Sequence, residues 1–293
     1  MIVLLLLLLV MHAPVGTQSL SASGDVPSII IGGGRIGNLL LDLGMPGDVL
    51  VRRGEHISET PSQGPIYVCT RNDDLVSIIE ETPRSRRKDL CFVQNGMLGP
   101  LLRQQGITDA TQALLYLAVP TLGAPAVDGI TALNPEGLTC ATGPWAQALK
   151  SRLQKGKLTC NIQSGEAFAA AALEKHIFIC STNLVGQLHG DLTVGEVYDS
   201  KYDEERRKLV NELIEAGQKE IGIPSLSEGT FDRLVAYGRS VPDFPTGIKE
   251  FQWRNGWFDD ITKRATAEGK LDPLPLHTAA LEKIGVGRYS TLI

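Results

Sequence analysis

Short runs of apolar residues alternate with helical patterns over the first half of the chain. The first runs, Ile29-Ile30-Ile31 and Val49-Leu50-Val51, contain branched side chains without polar alternation, as in strands buried on both faces. The predicted strands are 28–31, 48–51, 64–69, 89–93, 114–119, 137–143 and 158–162. Because helical stretches separate several of them, for example at 73–81, the pattern predicts a parallel, doubly wound sheet.

Helical periodicity replaces this alternation from about residue 166. The predicted helices of the second half are 166–188, 203–221, 231–238 and 277–284. Glycine and polar residues at 155–157 and 163–165 precede the change. We therefore predict an α/β domain with a parallel sheet over residues 25–165, followed by an all-helical domain over residues 166–293.

A glycine-rich turn joins the first predicted strand to the first helix. Its residues form a G-x-G-x-x-G motif and are Gly32, Gly33, Gly34, Arg35, Ile36 and Gly37. The first glycine of the motif permits a tight turn, the second lets the backbone approach a diphosphate, and the third lets the helix pack close to the strand. The helix N-terminus favours negative charge through its free N–H groups and its dipole. The motif predicts a Rossmann-type domain that binds a dinucleotide cofactor.

Two arginines at the end of the second predicted strand indicate which dinucleotide to expect. Arg52 lies 20 residues after Gly32, where NAD-binding domains place an acidic residue for the ribose 2′-hydroxyl. Arg52 and Arg53 suit a 2′-phosphate instead, because a guanidinium binds phosphate through paired, charge-assisted hydrogen bonds. The alternative is a pair of solvated arginines on a loop. We expect NADP(H) as the cofactor.

The composition is that of an ordinary globular protein, with 43% hydrophobic and 21% charged residues in a chain of 293. A net charge of −5 and the lack of a basic face argue against nucleic acid as a partner. The five cysteines are scattered through apolar runs without a C-x-x-C motif, which indicates buried thiols. The five histidines show no ligand spacing, so no metal site is expected.

The first 24 residues differ from the rest of the chain. Residues 2–10 are all aliphatic and include six consecutive leucines, and Ser19, Ser21 and Ser23 follow with a spacing suited to cleavage. This apolar block is too short for a stable membrane span. We interpret the segment as a signal peptide for the secretory route. The alternatives are a targeting segment for another organelle and an incorrectly assigned start codon, which would make the protein cytoplasmic.

Several motifs together resemble those of the ketopantoate reductase family. They are the glycine turn at 31–37, the strand end Gln94-Asn95-Gly96-Met97, the helix segment Leu173-Glu174-Lys175 with Asn183 eight residues on, and the segment 192–197. The resemblance spans about residues 28–290 and is strongest up to about residue 200. It implies a Rossmann domain, a helical C-terminal domain, and NADPH-dependent reduction of a 2-oxo acid in the cleft between them.

The resemblance also implies roles for individual residues. Lys175 is the candidate proton donor to the carbonyl oxygen, and partial desolvation in a closed cleft would help a lysine to release its proton. Asn183 is expected to hydrogen-bond the substrate, Asn95 to lie at the nicotinamide ribose and the reaction centre, and Arg71 to contact the cofactor phosphate. The structural alternatives are a solvated lysine, a capping or core asparagine, an Asn-Gly turn and a free surface arginine.

The chain departs from the family pattern at the substrate positions. Ile179 stands at the position of a second asparagine and cannot hydrogen-bond, and Trp257 or Phe258 falls where the family has a glutamate. Thr246 is the candidate substitute for a family serine, and Arg254 is a candidate clamp for a substrate carboxylate. Loss of polar contacts predicts weaker binding of ketopantoate and room for a bulkier or less polar carbonyl compound.

The sequence therefore leads us to expect an NADP-dependent oxidoreductase that acts on a 2-oxo acid or a similar small-molecule carbonyl substrate. One alternative is ketopantoate reduction itself with altered contacts, and another is a cofactor-binding sensor or interaction module without catalysis. The alternative to a role at the substrate is ordinary packing of the last helices by the aromatic residues Trp253, Trp257 and Phe258. Glu250 stands about two helical turns too early to replace the glutamate. The oligomeric state is open, with a homodimer among the options.

Overall fold

The computed structural model describes residues 26–286. The expected targeting segment at residues 1–24 lies outside this range. Strands and helices alternate as far as Ile162, and a bundle of helices follows from Gly165 to Lys283. The chain thus has a sheet part and a helical part, and the candidate site residues are distributed between them.

Within the described residues, the strands in chain order are β1 (Ile29–Ile31), β2 (Val49–Val51), β3 (Ile66–Val68), β4 (Leu90–Phe92), β5 (Thr111–Leu114), β6 (Leu117–Ala118), β7 (Val127–Asp128), β8 (Cys140–Thr142) and β9 (Asn161–Ile162). Seven of them form one sheet in the order β2-β1-β3-β4-β5-β8-β9, and β6 and β7 pair in a separate hairpin. Neighbouring strands of the large sheet are parallel except β5 and β8, where Ala113 lies opposite Ala141 in an antiparallel pair. The carboxyl ends of β1, β3 and β4 lie side by side, at the edge where open parallel sheets bind ligands.

The helices of the sheet part are α1 (Arg35–Asp42), α2 (Leu75–Glu81), α3 (Gly99–Gln104) and α4 (Ala146–Lys155). The helices of the second part are α5 (Gly165–Leu188), α6 (Val194–Val197), α7 (Asp203–Ile221), α8 (Thr230–Ser240), α9 (Asn255–Ala267) and α10 (Pro275–Lys283). Short 3-10 helices lie at Asn72–Asp74, Arg84–Asp89, Ser200–Tyr202 and Phe251–Trp253.

The central strand β1 is buried on both faces of the sheet. Ile30 packs with Leu40 of α1 and Leu149 of α4 on one face. Ile29 and Ile31 pack with residues of α2 and α3 on the other face. Because both faces are covered, the strand needs apolar residues at every position, which is the pattern in the sequence.

Helix α5 is the central helix of the second part. Its residues are buried on all sides over much of the stretch from Leu173 to Gly186, as in a helix enclosed by other helices. Helix α7 can approach it closely because Gly217 leaves room for Leu173, whose Cδ1 would lie 2.5 Å from a Cβ on Gly217. A partly buried ion pair of 2.6 Å between Glu174 and Arg233 joins α5 to α8. No helix within residues 26–286 is long and apolar enough to cross a membrane.

The strand predicted at 114–119 is wrong in its bounds, because two elements share that stretch. Strand β5 ends at Leu114, and β6 belongs to the separate hairpin. The backbone leaves the sheet between them because the Leu115 carbonyl accepts a hydrogen bond from Lys175, and the Tyr116 N–H donates to the Thr139 hydroxyl. Helices α3, α4, α6 and α9 are not among the predicted helices. Helix α3 is short and begins with Gly-Pro, which reads as a turn signal in sequence.

Candidate active site

The glycine turn after β1 has three distinct environments. Gly32 has a φ of +107°, and a Cβ there would lie 2.8 Å from the Cys69 carbonyl oxygen. A Cβ on Gly37 would lie 1.8 Å from the Gly32 carbonyl oxygen. Beside Gly34, in contrast, no atom of the described chain lies within 4 Å of the Cβ position. The protein itself closes the first and third positions, and the second is open to a ligand, as a diphosphate cradle requires.

Two side chains of α1 brace this turn. The Asn38 amide donates hydrogen bonds of 2.6 and 2.9 Å to the carbonyl oxygens of Gly33 and Gly34. Arg35 donates to the Val119 carbonyl at 2.9 Å and so ties the turn to the end of β6. Arg35 is among the residues that the glycine motif predicts to bind the cofactor, whereas Asn38 is not among them. An asparagine in the first turn of the helix is the signal that could have revealed it, because its amide can reach nearby backbone.

A cleft of about 620 Å³ lies next to the glycine turn and contains the three predicted phosphate-binding arginines. Its basic lining residues are Arg52, Arg53 and Arg71, and its acidic ones are Glu55, Asp74 and Glu81. Arg52 lies over the turn, since its Cγ would be 3.6 Å from a Cβ on Gly33. The Arg52 backbone N–H donates to the Glu55 carboxylate at 2.6 Å. The acidic residues were not anticipated from the sequence, because they reach the cleft from outside the motif.

The open glycine backbone and the arginine-lined cleft fit a dinucleotide. The Cβ position of Gly34 leaves room for a diphosphate beside the N-terminus of α1. The three arginines line the adjoining space and are exposed, so their guanidinium groups are accessible to a phosphate. The open space beside Gly34 and the positive charge of the arginines are both features that a phosphorylated cofactor requires, so these residues fit such a cofactor.

Asn95 lies at the carboxyl end of β4 and lines a second, smaller cavity of about 220 Å³. Arg35 and Ile36 of the glycine turn line the same cavity, so Asn95 is close to the cofactor motif in space. Its backbone is held in place by Asn72, whose side-chain amide donates to the Asn95 carbonyl at 2.8 Å. The preceding Gln94 donates to the Val68 carbonyl at 2.8 Å, which joins the ends of β4 and β3.

Lys175 is a buried lysine on α5 that faces the sheet part. Its Nζ donates to the Leu115 carbonyl at 2.7 Å and lies 4.8 Å from the centre of the Tyr116 ring. Burial, with a smaller contribution from the positive charge of Arg254, lowers the pKa of Lys175 from its usual value of 10.5 to about 7. Leu115 also lines the cavity that contains Asn95. The structure therefore brings a lysine with a pKa near neutrality next to the Asn95 cavity.

The polar side chains expected further along the substrate site are engaged by the backbone. The Asn183 amide donates to the Ile179 carbonyl at 2.7 Å, and its oxygen accepts from the Gly247 N–H at 2.8 Å. The Thr246 hydroxyl donates to the Leu192 carbonyl at 2.5 Å. Ile179 itself is only 8% exposed. These contacts hold the segment at 244–247 in place. Asn183 and Thr246 therefore both have a structural role.

Arg254 belongs to a chain of contacts between the two parts of the molecule. Its guanidinium lies 2.7 Å from Glu250, whose other oxygen accepts from the Asn72 N–H at 3.1 Å. Asn72 in turn holds Asn95. The Nε of Arg254 is buried and has no hydrogen-bond partner in the described residues. The sequence could not reveal the contact of Glu250 and Asn72, because it joins positions 178 residues apart.

Trp257 and Phe258 take part in the packing of the helical part. Phe258 is fully buried and its ring centre lies 5.2 Å from that of His176. Trp257 contacts His176 edge to face at 5.3 Å. Trp253 is different, since its indole N–H donates to Asp73 at 3.0 Å across the two parts of the chain. Of the three aromatic residues, two pack within the helical part and one joins it to the sheet part.

The cysteines are free thiols, all of them within the described residues. Cys69 lines the arginine cleft, and burial raises its pKa to about 12, so it is a neutral thiol there. The other four are buried in the core. No group of three or more His, Cys, Asp or Glu side chains within residues 26–286 is arranged to hold a metal ion.

No family model matches the sequence, and no curated protein matches it. Solved structures with the same fold do exist. A PanE/ApbA family ketopantoate reductase from Ralstonia eutropha JMP134 superposes with a TM-score of 0.61 at 15% identity, covering 88% of this chain and 98% of that one. The dimeric ketopantoate reductase from Staphylococcus aureus gives a TM-score of 0.61 at 16% identity, covering 89% and 99% of the two chains.

A D-mandelate dehydrogenase solved with NADH and anilino(oxo)acetate has the same fold. It superposes with a TM-score of 0.58 at 12% identity, covering 88% of this chain and 100% of that one. The similarity spans the sheet part and the helical part in each case, because nearly the whole of each relative is covered. The predicted fold, a Rossmann-type domain followed by a helical domain, is confirmed. This chain has the fold of the ketopantoate reductases.

Proposed function

We propose that the protein is an NADP(H)-dependent oxidoreductase that reduces the carbonyl group of a 2-oxo acid or a related compound. The observation that carries the proposal is the position of Lys175, a buried lysine with a pKa near neutrality, next to the cavity of Asn95. That cavity is also lined by residues of the glycine turn. A candidate proton donor therefore lies next to a cavity that residues of the glycine turn also line.

The chemistry requires a hydride for the carbonyl carbon and a proton for the carbonyl oxygen. A bound nicotinamide would supply the hydride. Lys175 would donate the proton: its Nζ gives one N–H to the Leu115 carbonyl and has others free for a substrate oxygen. Asn95 would orient the carbonyl group through its amide. The product is the corresponding hydroxy compound, and Lys175 is left neutral until it is protonated again from solvent.

Arg254 would bind the carboxylate of a 2-oxo acid. Its charge lies close enough to Lys175 to lower the pKa of that lysine, and its buried Nε is free of protein partners among the described residues. The Arg254 guanidinium already pairs with Glu250, and its remaining N–H groups can donate to a second carboxylate. This arrangement supports an acidic carbonyl substrate over a neutral one.

The first experiment follows NADPH oxidation by the protein in the presence of ketopantoate, pyruvate and bulkier 2-oxo acids. We expect turnover of at least one of them, and we expect Lys175→Ala to lower kcat by about 100-fold or more, because general acid catalysis contributes that much. Lys283→Ala, which removes an exposed lysine of α10, is the control and should keep full activity. An active Lys175→Ala variant would contradict the role of the lysine.

Cofactor choice is tested separately, since the D-mandelate dehydrogenase with the same fold was solved with NADH. We expect the double variant Arg52→Ala and Arg53→Ala to bind NADPH at least about tenfold more weakly and to bind NADH almost unchanged, because only NADPH has the 2′-phosphate. Arg84→Ala, an exposed arginine outside the cleft, is the control for charge. Equal weakening for both cofactors, or no weakening, would contradict the preference for NADP(H).

A non-catalytic NADP(H)-binding protein is the second candidate function. The observation that favours it is the engagement of Asn183 and Thr246 by backbone groups, which removes polar contacts that the family resemblance implies for a substrate. Tight NADPH binding without turnover of any 2-oxo acid would support this candidate. Turnover that depends on Lys175 would exclude it.

A further inference from the structure

A third cavity, of about 450 Å³, lies between the sheet part and the helical part. Its sheet side comes from the end of β4, from α3 and from β5, and its helical side comes from α5, α7 and α9. Among the described residues, none lines both this cavity and either the arginine cleft or the Asn95 cavity. Lys175 and Arg254 do not line it either. The third cavity is therefore a separate space from the proposed cofactor and reaction sites.

Most of the side chains around the third cavity are apolar. Phe168 and Ala172 of α5 pack with Leu114 of β5 in one apolar cluster, which joins the two parts of the molecule. Met97 and Trp257 add further apolar surface, from the segment after β4 and from α9. The volume of the cavity is within the range of small-molecule sites, about 300–1,000 Å³, and such sites combine an apolar lining with a few polar groups. The body of a ligand that fits this cavity is therefore apolar.

Two polar residues of the lining already have partners within the protein. The Gln94 amide donates to the carbonyl oxygens of Val68 and Thr70, at 2.8 and 3.2 Å. The Glu220 carboxylate pairs with Arg264 at 2.7 Å. The protein itself thus balances the one negative charge of the lining, and the donors of the Gln94 amide are in use.

Arg103 and Gln112 also line the third cavity, and their side chains are unpaired. Neither the Arg103 guanidinium nor the Gln112 amide has a hydrogen bond or ion pair with any residue in 26–286. The Arg103 side chain extends back along α3, since its Nη1 would lie 3.2 Å from a Cβ on Gly99, another residue of the lining. Because Arg103 is exposed, its positive charge lies at the mouth of the cavity. The lining therefore has one uncompensated cation beside an apolar interior.

We propose that the third cavity is a second binding site, and that its ligand is an aliphatic monocarboxylate such as a medium-chain fatty acid. The carboxylate pairs with Arg103 at the mouth, through the paired hydrogen bonds that a guanidinium forms with a carboxylate. The hydrocarbon chain lies inside, against Phe168, Ala172 and Trp257. The Gln112 amide is a further free donor for a ligand oxygen. The inference does not depend on the proposed reductase function, because none of the residues with a role in the proposed reaction lines this cavity.

The test is calorimetric titration of the protein with octanoate, butyrate and 1-octanol. We expect one octanoate to bind per chain, at least about fivefold more tightly than 1-octanol, because the alcohol has no charge to pair with Arg103. Octanoate should also bind at least about 20-fold more tightly than butyrate, because each buried methylene group strengthens binding by up to about fourfold. No saturable binding of octanoate, or equal affinity for octanoate and 1-octanol, would overturn the inference.

The same titration in saturating NADPH tests whether the site is separate. We expect the octanoate affinity to change by less than about twofold, since no residue lines both the third cavity and the arginine cleft. Displacement of octanoate by NADPH would overturn the inference. A protein that binds octanoate as expected but neither binds nor oxidises NADPH would contradict the proposed reductase function alone.

Substitution of the arginine locates the carboxylate. Arg103→Ala should weaken octanoate binding at least about fivefold and leave 1-octanol binding unchanged, because it removes only the charge. Arg239→Ala, which removes an exposed arginine in the last turn of α8, outside the cavity, is the matched control. Octanoate binding that Arg103→Ala leaves intact, or that is lost in the double variant Arg52→Ala and Arg53→Ala instead, would overturn the inference.

A larger side chain inside the cavity locates the hydrocarbon chain. Ala172→Leu should weaken octanoate and 1-octanol alike, because it fills space that both ligands occupy. Ala167→Leu, the same change at an exposed position of α5, should change neither affinity. Thermal unfolding shows whether both variants fold. Wild-type affinity in a folded Ala172→Leu variant would overturn the inference.

Discussion

Gly34 and Gly37 belong to one motif, yet they are glycines for different physical reasons. At Gly37 a side chain would meet the Gly32 carbonyl oxygen at 1.8 Å, so the protein's own backbone excludes it. At Gly34 the space beside the backbone is open, and only a ligand would be displaced. The φ of Gly34 is −77°, a value that other residues adopt without strain. The fold itself therefore does not require a glycine at this position, and we propose that the open space serves a ligand.

A pair of alanine variants tests this difference. We expect Gly34→Ala to change the free energy of unfolding by less than about 1 kcal/mol, the range of an N-cap substitution, and to weaken NADPH binding. Gly37→Ala should destabilise the fold by about 1–3 kcal/mol through overpacking, although alanine is the better helix former. Urea unfolding and calorimetric titration with NADPH measure the two effects. Unchanged NADPH affinity in Gly34→Ala would place the cofactor elsewhere.

Lys175 shows how burial changes the chemistry of a single residue. Its pKa of about 7 means that the protonated form, which is the proposed proton donor, is lost as the pH rises above about 7. We expect kcat/KM for reduction to fall about tenfold per pH unit above that value, whereas the rate of the reverse oxidation should rise up to about pH 7 and then become level. Lys175→Arg, which keeps the charge but cannot release a proton, should have little activity at any pH. A profile that stays level to pH 9 in the wild type would contradict the assignment.

At the scale of elements, the segment around the short helix Phe251–Trp253 links the two parts of the molecule. Glu250 accepts from the Asn72 N–H, and Trp253 donates to Asp73. A Cβ on Gly96 would lie 2.5 Å from the Trp253 carbonyl oxygen, so this strand end and the segment are in close contact. The strand end that holds Asn95 thus depends on a segment of the helical part.

Substitutions at Glu250 test how much this link contributes. We expect Glu250→Ala to lower the free energy of unfolding by about 1–3 kcal/mol, because the buried Asn72 N–H and the Arg254 guanidinium lose their acceptor. Glu250→Gln keeps an acceptor oxygen for Asn72 and should recover part of the loss. Both variants have a Cβ at a residue with a φ of +48°, so backbone strain is matched between them. Equal stability of the two in urea unfolding would mean that the link to Asn72 contributes nothing.

At the scale of the whole molecule, the helical core contains two buried histidines that resist protonation. His176 packs between Trp257 and Phe258, and His277 contacts Phe258 from α10. Burial lowers the pKa of His176 to about 3 and that of His277 to about 4, from a usual 6.5. In the unfolded chain both titrate near 6.5, so below that pH the unfolded state binds more protons than the folded state. Acid therefore favours unfolding.

This imbalance predicts the acid stability of the protein. Between pH 6.5 and about 4 we expect the free energy of unfolding to fall by up to about 1.4 kcal/mol per pH unit for each histidine. His176→Leu should reduce that slope, whatever its effect on stability at pH 8, and the exposed His56→Leu should not. Urea unfolding at several pH values provides the slopes. A wild-type stability that does not change from pH 7 to 4.5 would contradict the buried, neutral state of these residues.

Local patterns in the chain predict some parts of the molecule well. The helix predicted at 203–221 is α7 with the same bounds, because its apolar residues recur at helical spacing and Gly222 ends it in a left-handed conformation. The strand end at Asn95 and the glycine turn are likewise near one another, as the edge of a parallel sheet requires. The environment of Asn183 could not be predicted, because the Gly247 N–H that occupies its oxygen lies 64 residues away.

The sequence by itself determined the alternation of strands and helices, the dinucleotide turn and the change to an all-helical second part, because each depends on periodicity or on backbone freedom within a few residues. Only the tertiary structure decided that Lys175 is buried beside the Leu115 carbonyl, that Glu250 reaches Asn72, and that Ala172 and Trp257 line one cavity. These properties depend on the distance and the exposure of residues far apart in the chain. They arise when the helical part packs on the sheet edge, and local sequence does not record them.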